Sequence, residues 1–416
     1  MSEYLNEIGE KAKNASVKLG VMTTEQKNKA LELVAQELVN NTDLILQANE
    51  VDMQNGAANN MKAGLLDRLK LTPERILAIA EGVKEVVLLT DPVGEILNRD
   101  TRPNGMVITK KRVPFGVIAI VCEARPNVTV DAFALCFKTG NAVILKGGSA
   151  AASSNLAIAK VIRSALKKAD VPVDSFCLVE DNSHETTLEL MKLNKYVDLL
   201  IPRGGAGLIR SAVENSTVPI IETGTGNCHV FVDETGDVDM AVNIIINAKT
   251  QRVGVCNACE SLLIHEKKAK ELMGVLAERL HEKNVEMRAD ENLRQYSSYA
   301  LEATEEDWGT EYLDYIISMK TVANVEEAIA HINRYHTGHS DCIVTEDAAN
   351  AEKFLNEVDS AAVYWNVSTR FTDGFEFGFG AEIGISTQKL HARGPMGLTE
   401  LTSYKYQITG NGQVRS

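Results

Sequence analysis

Short apolar runs alternate with helical patterns from residue 116 onward, and this alternation constrains the fold more than any other feature of the chain. The runs are rich in Val, Ile and Leu, which is typical of strands buried on both faces of a parallel sheet. A first series occupies residues 116–124, 141–147, 175–180, 197–203 and 218–223. A second series occupies residues 228–234, 261–265, 311–322, 341–346 and 361–366. The pattern predicts an α/β protein with two doubly wound domains.

Glycine-rich turns follow three of these predicted strands. They span residues 146–149, 203–207 and 222–227, at the carboxyl ends where open α/β sheets bind ligands. Glycines there let the backbone approach a phosphate or a nicotinamide. None completes the G-x-G-x-x-G fingerprint, because Arg210 stands where a third glycine is required after Gly205 and Gly207. Such turns also serve simply to end a strand, so both interpretations stay open.

Residues 94–113 and 394–416 are predicted to form an arm outside the two domains. Two extended runs flank Asn104-Gly105, which is the strongest short signal for a β-hairpin, and a third extended run occupies residues 403–410. The runs are rich in charge, and an isolated two-stranded ribbon is marginally stable in water. We expect the arm to add to another sheet and to give at least a dimer.

The stretch from Gln251 to Ile264 holds the strongest candidate for chemistry. A helical pattern ends near Arg252, a loop carries Cys256, and an apolar run predicted as a buried strand begins at Ser261. A thiol on such a loop is accessible, and the positive charge of Arg252 would lower its pKa. We therefore expect Cys256 to be a nucleophile.

Two other interpretations of this cysteine remain. Free cysteine usually acts as a small buried apolar residue. The spacing Cys256-x-x-Cys259 also matches half of a zinc site or a redox pair, but the sequence has no second C-x-x-C and no histidine nearby at ligand spacing. His331 and His339 are separated by a predicted helix and its end, so no metal site is expected there.

Composition and charge argue against several classes of protein. The formal net charge of −14 argues against a nucleic-acid surface. No run of about 18 apolar residues occurs, so no membrane helix is expected. The polar N-terminal stretch has no apolar signal core, and seven scattered cysteines fit a reducing cytoplasm.

Five segments occur in an order that resembles the aldehyde dehydrogenase superfamily across nearly the whole chain. They are PFGVIAIVCEARPNVT, NAVILKGGSAAASSN, LIPRGGAGLI, ETGTGNCHVFVD and AKTQRVGVCNACE. A further string between Val322 and Asp341, which contains His331-Ile332-Asn333 and Thr337-Gly338-His339-Ser340, matches the signature of the gamma-glutamyl phosphate reductase family. The chain resembles that family most closely, which implies an aldehyde dehydrogenase-like fold.

The resemblance implies a reaction and a division of the chain. Residues 1–93 and 114–228 would form an NADP-binding domain, residues 229–393 a catalytic domain, and the arm would pair across subunits. The reaction would be NADPH-dependent reduction of L-glutamyl 5-phosphate to L-glutamate 5-semialdehyde through a cysteine thioester, the second step of proline biosynthesis from glutamate. A non-phosphorylating NAD(P)-dependent aldehyde dehydrogenase and a non-catalytic metabolite-binding protein are the alternatives. A glutamate 5-kinase, which makes the labile substrate, is a possible partner.

The resemblance also assigns roles to single residues. Cys256 matches the nucleophile, and the side-chain amide of Asn127 would form an oxyanion hole with the Cys256 backbone N–H. Lys146 matches the lysine that binds the adenosine ribose and its phosphate, and Glu311 resembles the glutamate that holds the nicotinamide ribose. Cys259 falls where the family needs no thiol, so it is expected to be structural.

NADP(H) is the expected cofactor. Enzymes that select NAD often place a carboxylate on the ribose 2′-hydroxyl, and the turn after Lys146 has none. Lys146 and Ser149 would instead attract or tolerate a 2′-phosphate. Gly205, Glu222 and Gly224 are further expected cofactor contacts. Glu222 also matches the general base of hydrolytic members, a role that a phosphate-releasing reductase does not need.

Three residues are candidates for binding an amino-acid acyl phosphate. Asp341 would bind the substrate ammonium group, and Ser340 would help to bind its carboxylate. Arg252 would bind the leaving phosphate, since guanidinium binds phosphate in a bidentate way. Arg252 could equally cap the end of the preceding helix, where a cation is favoured.

Overall fold

The computed structural model describes residues 2–123 and 125–415. The chain divides into two compact units. The first comprises Met1–Glu222, Gly378–Gly384 and Met396–Ser416, and the second comprises Thr223–Phe377 and Ile385–Pro395. The functional assignment of domains made from the sequence stays a prediction.

Helices are numbered in chain order. They are α1 Glu3–Leu19, α2 Thr24–Asn40, α3 Thr42–Ala58, α4 Ala63–Leu69, α5 Pro73–Leu88, α6 Pro126–Lys138, α7 Ala152–Lys168, α8 His184–Leu190, α9 Ala206–Asn215, α10 Val238–Thr250, α11 Glu266–Glu282, α12 Glu291–Arg294, α13 Val325–Tyr335 and α14 Ala348–Glu357.

Strands are numbered in the same way. They are β1 Ile96–Thr101, β2 Val107–Pro114, β3 Val117–Cys122, β4 Ala142–Lys146, β5 Phe176–Leu178, β6 Leu199–Arg203, β7 Cys228–Val232, β8 Cys259–His265, β9 Glu286–Ala289, β10 Ala300–Glu302, β11 Ile316–Val322, β12 Ser340–Val344, β13 Ala362–Trp365, β14 Ile385–Ser386, β15 Gly394–Pro395 and β16 Thr402–Thr409.

The first unit contains a parallel sheet in the order β5-β4-β3-β6. The fifth strand predicted at 218–223 is wrong, because the structure has only an isolated bridge between Ile220 and Leu200. Pro219 accepts a hydrogen bond from the Leu200 N–H but has no N–H of its own to donate, so the ladder does not extend. Thr23 is the N-cap of α2 and forms a capping box with Gln26.

The predicted arm is a three-stranded antiparallel sheet in the order β1-β2-β16. The hairpin at Asn104-Gly105 is present, with Thr101 opposite Val107. Strand β16 of the same chain pairs with β2 along its whole length, so the hairpin finds its additional strand within its own chain. Strand β1 is exposed throughout and forms one edge of this sheet.

The second unit is built on a parallel sheet in the order β10-β9-β11-β8-β7-β12-β13. Alternate side chains of its central strands enter two separate cores, as Val230 and Phe231 of β7 show. A sheet covered on both faces explains the near-continuous apolar runs in the sequence. The α/β prediction with parallel sheets is therefore confirmed. No helix in the described part of the chain is long and apolar enough to cross a membrane.

Candidate functional site

Cys256 lies on the loop between α10 and β8, three residues before β8 begins. Of the chain's seven cysteines, six are buried and Cys256 is partly exposed. Burial raises the pKa of each of the other thiols, and for Cys259 it does so to about 12. A buried thiol with a raised pKa is a poor nucleophile, so the geometry favours Cys256 for chemistry. Cys259, the first residue of β8, is fully buried and donates to the Ser261 carbonyl, as a structural residue would.

Residues that precede neighbouring strands gather around the Cys256 loop. Strand β7 begins at Cys228, β12 begins at Ser340, and Glu311 precedes β11. Because β11, β8, β7 and β12 are adjacent and parallel, these residues meet at the amino edge of the sheet. The rule that ligands bind at carboxyl ends, which directed attention to the glycine turns, would have missed this edge.

Gly226 allows the chain to pass directly beside the nucleophile loop. A Cβ atom at this position would lie 1.4 Å from the Cys256 carbonyl oxygen. The Gly226 N–H donates to Glu311 Oε1 at 2.6 Å. Burial raises the pKa of Glu311, and the hydrogen bond from Gly226 opposes that shift. Glu311 therefore fixes the segment beside Cys256, and its predicted contact with the nicotinamide ribose stays a prediction.

Asn257 anchors the other side of the loop. Its Nδ2 donates to the Thr372 carbonyl at 3.0 Å, and its own backbone carbonyl accepts from Thr369 Oγ1 at 2.8 Å. Its Oδ1 accepts a hydrogen bond from Arg370 Nη1. The segment 369–372 thus holds the residue that follows the nucleophile.

Arg370 brings a positive charge to this loop. Its Nε donates to Gln251 Oε1 at 2.8 Å, so its two hydrogen bonds reach residues on both sides of Cys256. Burial, followed by repulsion from Arg252, lowers the pKa of Arg370, whereas attraction to Asp373 and Cys256 opposes that shift. Arg252 itself is exposed and follows Gln251, the C-cap of α10. Two arginines therefore lie within electrostatic range of each other at the nucleophile.

A network of buried polar side chains contacts the backbone of the Cys256 loop. Cys228 Sγ donates to the Cys256 carbonyl at 3.1 Å and lies 3.7 Å from His339 Nδ1. His339 Nδ1 is also 2.8 Å from Ser340 Oγ, which in turn is 2.6 Å from Thr372 Oγ1. Ser340 is fully buried, so its predicted contact with a substrate carboxylate is not supported.

The predicted contact between Asp341 and a substrate ammonium group is corrected by the structure. Asp341 is fully buried, its Oδ1 accepts from the His229 N–H at 2.8 Å, and its Oδ2 accepts from Ser360 Oγ. Hydrogen bonds and attraction from His229 and His336 outweigh burial and hold the pKa of Asp341 well below its usual range. Both oxygens are thus committed to neighbours within the protein. Within residues 2–123 and 125–415, no group of His, Cys, Asp and Glu is placed to hold a metal ion.

A buried ion pair joins the two ends of the nucleophile loop. Lys249 Nζ, in the last turn of α10, lies 2.5 Å from Glu260 Oε2 in β8, and neither side chain is exposed. The other Glu260 oxygen accepts from the Leu313 N–H at 3.2 Å. Burial raises the pKa of Glu260, and Lys249 opposes that shift. The pair fixes where the loop leaves the helix and where it enters the sheet.

In the first unit, Asn127 is half-buried in the first turn of α6. Its Nδ2 donates to Asp131 Oδ2, one turn later, at 3.1 Å. Burial raises the pKa of Asp131 to about 6, against the hydrogen bond from Asn127 and attraction to Arg203. Because a carboxylate only accepts hydrogen bonds, it fixes which end of the Asn127 amide faces it. The amide keeps a second N–H for a ligand.

A pocket of about 180 Å³ opens at the carboxyl ends of β4 and β5. Its lining residues are Gly147, Ala152, Ser153, Asn155, Leu156, Leu178, Val179, Glu180 and Asn182. A Cβ atom on Gly147 would lie 2.2 Å from Asn155 Nδ2, which explains the glycine. Its lining mixes apolar and polar walls, as small-molecule pockets in proteins do.

The predicted cofactor lysine is placed beside this pocket, in the residue before Gly147. Lys146 is 5% exposed, and burial lowers its pKa while attraction to Asp181 raises it. Ser149 is exposed and begins a short 3₁₀ helix. The turn after Lys146 lacks a carboxylate as predicted, but the fold brings Glu180 to the same pocket from the end of β5.

The other glycine turns are used within the protein. The Gly205 N–H donates to Glu123 Oε1 at 2.8 Å, so a carboxylate already accepts from the backbone at this predicted cofactor contact. The Gly224 N–H donates to the Ile385 carbonyl at 3.1 Å, and a Cβ there would lie 2.3 Å from Thr387 Cγ2. Glu222 is half-buried, and its predicted contact with the cofactor stays a prediction.

Sequence reasoning missed Arg370, Asp131 and Glu180. Asp131 carried a usable signal, since it stands four residues after Asn127 on a predicted helix and such residues are neighbours. Arg370 is 113 residues from Asn257, and only the fold brings them together.

Comparison with known proteins agrees with this fold. The aldehyde dehydrogenase family model matches residues 2–297 and 308–406. A gamma-glutamyl phosphate reductase of Lachnospira eligens is 58% identical over 99% of this chain and 100% of the relative, and one of Clostridium beijerinckii is 55% identical over 100% of both. The crystal structure of gamma-glutamyl phosphate reductase from Thermotoga maritima is 50% identical, covers 99% of this chain and 100% of its own, and superposes with a TM-score of 0.97. The chain therefore belongs to the aldehyde dehydrogenase family and is similar over its full length to gamma-glutamyl phosphate reductases.

Proposed function

We propose that the protein reduces L-glutamyl 5-phosphate to L-glutamate 5-semialdehyde with NADPH, releases phosphate, and so supplies proline biosynthesis from glutamate. The names and full-length similarity of its relatives support the substrate. The observation that carries the mechanism is the partial exposure of Cys256, which distinguishes it from the six buried cysteines.

In the proposed reaction, the Cys256 thiolate attacks the acyl carbon of the substrate. A C–S bond forms, the bond from that carbon to the phosphate oxygen breaks, and phosphate leaves with the electron pair. Asn127, oriented by Asp131, donates its second amide N–H to the developing oxyanion. A bound nicotinamide cofactor supplies the hydride that converts the thioester to the aldehyde. Cys256 then leaves as a thiolate and is ready for another turnover.

The residues of the first unit fit an adenosine-containing cofactor. The pocket beside Gly147 offers Leu178 and Val179 as apolar walls and Asn182 as a polar group. Lys146 is the cation nearest to it in sequence and would attract a 2′-phosphate. Glu180, which also lines the pocket, acts against binding of NADP(H), because its carboxylate repels the 2′-phosphate. We propose NADP(H), with Lys146 as the contact that favours it.

The same scheme needs no hydrolytic water. Glu222 therefore has no general-base role in it, and release of phosphate replaces the consumption of water. An ordinary aldehyde dehydrogenase would need that base, so an intact rate in a Glu222→Gln variant supports the phosphate-releasing reaction.

We also propose that the arm formed by β1, β2 and β16 mediates assembly into at least a dimer. Strand β16 exposes Tyr404, Tyr406 and Ile408 at 49%, 57% and 59%, which is a large apolar area for one strand. An Ile408→Glu variant should have a lower mass by light scattering than the wild type. A monomeric wild type would exclude the arm as a dimer contact.

A cytoplasmic location and association with a glutamate 5-kinase are further proposals from the same reaction.

Two cysteine variants test the proposed nucleophile. Cys256→Ala should abolish oxidation of NADPH in the presence of glutamyl phosphate, while the affinity for NADPH is kept. Cys259→Ala, a matched loss of one thiol on the same segment, should retain substantial activity because its thiol is fully buried. An active Cys256→Ala enzyme would exclude the thioester.

A further inference from the structure

We infer that Arg370, together with Arg252, forms the anion site that receives the departing phosphate beside Cys256. This inference rests on the proposed function, since it identifies where the leaving group of that reaction is held. It adds Arg370, which no sequence pattern singled out, as a residue that contacts the phosphate.

The guanidinium of Arg370 is held in place across the nucleophile loop. Nε donates to Gln251 Oε1 at 2.8 Å, and Nη1 donates to Asn257 Oδ1. Gln251 precedes Cys256 and Asn257 follows it directly, so the guanidinium spans the loop. Nη2 makes no hydrogen bond to the residues that the structure describes, which leaves N–H donors for a ligand.

The charges around Arg370 favour an anion. After burial, repulsion from Arg252 is the largest influence that lowers the pKa of Arg370, and Asp373 is the carboxylate whose attraction opposes it. Asp373 is also engaged elsewhere, because its Oδ1 accepts from the Phe375 N–H at 2.9 Å. A dianion such as phosphate would neutralise the two guanidinium charges and so remove their mutual repulsion.

The chemistry of the acyl transfer requires such a site. As the C–O bond to phosphate breaks, negative charge grows on the phosphate oxygens, and guanidinium donors stabilise it. In the reverse direction the same groups would hold phosphate for attack on the thioester carbon. A preset guanidinium loses little entropy on binding, because Gln251 and Asn257 already fix its orientation.

Steady-state kinetics in the reverse direction test this site. L-Glutamate 5-semialdehyde and NADP are held constant while phosphate is varied, and NADPH is followed for the wild type, Arg370→Gln and Arg370→Lys. Arg370→Gln should raise the KM for phosphate about 10–100-fold, as expected for loss of a charged hydrogen-bonding group, and change the KM for semialdehyde less than about twofold. Arg370→Lys should restore part of the loss. Arg279→Gln removes a matched charge from the exposed face of α11 and should behave as wild type.

Alkylation of Cys256 by iodoacetamide gives a second measurement that needs no turnover. Phosphate should protect the wild-type thiol, and Arg370→Gln should abolish this protection while Arg279→Gln keeps it. Unfolding temperatures of all variants identify any that fail to fold, and Arg370→Lys is the variant that preserves the packing best.

The outcomes separate this inference from the proposed function. A phosphate-dependent wild type whose KM for phosphate is unchanged in Arg370→Gln overturns the inference and leaves the proposed function standing. Turnover that ignores phosphate overturns the proposed function. In that case phosphate protection that disappears in Arg370→Gln still supports an anion site at Arg370, and protection that persists in the variant overturns it.

Discussion

The carbonyl oxygen of Cys256 occupies the space beside Gly226, where a Cβ atom would lie only 1.4 Å away. No side chain fits there without moving the backbone of the nucleophile itself. The same Gly226 is fixed by Glu311 through a hydrogen bond of 2.6 Å. The position of the proposed nucleophile therefore depends on two segments that are distant in sequence.

Gly226→Ala should displace the Cys256 loop. We expect kcat to fall about 100-fold, since a shift of about 1 Å in a reacting group can cost that much. The affinity for NADPH, measured by fluorescence titration, should change little. Gly274→Ala is the matched control on the exposed side of α11, where no atom beyond the adjoining helix backbone lies within 4 Å of the new methyl group. It should stabilise the protein by about 0.5–1 kcal/mol and leave activity unchanged, and equal losses in both variants would contradict the steric explanation.

Loss of one partner of the buried ion pair between Lys249 and Glu260 should destabilise the protein strongly, whereas loss of both partners together should cost much less. Lys249→Met leaves Glu260 buried without its partner, so we expect a loss of about 3–5 kcal/mol in the free energy of unfolding. The double variant Lys249→Met, Glu260→Leu removes both charges and should recover most of that loss. Urea denaturation of the two single variants and the double variant measures this coupling. Additive losses would show that the two side chains act independently.

Asp131 should make stability depend on pH. Its pKa is raised to about 6 in the folded protein, above the value of an exposed aspartate, so the folded state binds the proton more tightly. The contribution of this group to stability therefore increases as the pH falls from about 7 to 5, by about 1 kcal/mol. Asp131→Asn should lack this increase. A difference in unfolding free energy between variant and wild type that is constant over this range would contradict the shift.

Cofactor preference should depend on two charges beside the first pocket. Lys146→Ala should raise the KM for NADPH about tenfold more than the KM for NADH, as expected for loss of one charged contact to the 2′-phosphate. Glu180→Gln should lower the KM for NADPH, because it removes a negative charge from the pocket lining. Asn182→Asp, which adds a carboxylate to the same lining, is the reverse control. Equal effects on both cofactors would assign these residues to the adenosine alone.

The sequence predicted those parts of the fold that local physics determines. Apolar runs marked the strands, and Asn104-Gly105 marked the hairpin. The fifth strand was wrong where Pro219 removes a donor, a feature that was visible in the sequence but was outweighed by the apolar pattern.

The candidate site was predictable only in part. Cys256 was identified by its loop, but Arg370 lies 113 residues from Asn257 and Glu311 lies 85 residues from Gly226. Such pairs depend on strand order, which periodicity does not determine. Asp341 shows the opposite failure, because an acidic residue beside a turn looked available to a substrate and instead satisfies a buried histidine.

The reverse reaction tests the central proposal most directly. Purified enzyme is mixed with L-glutamate 5-semialdehyde and NADP, and NADPH formation is followed with and without phosphate, with sulfate at the same ionic strength as the control. We expect a rate that saturates with phosphate and nearly stops when phosphate is replaced by sulfate. Equal rates without phosphate would mean that water accepts the acyl group, and the protein would then be an ordinary aldehyde dehydrogenase.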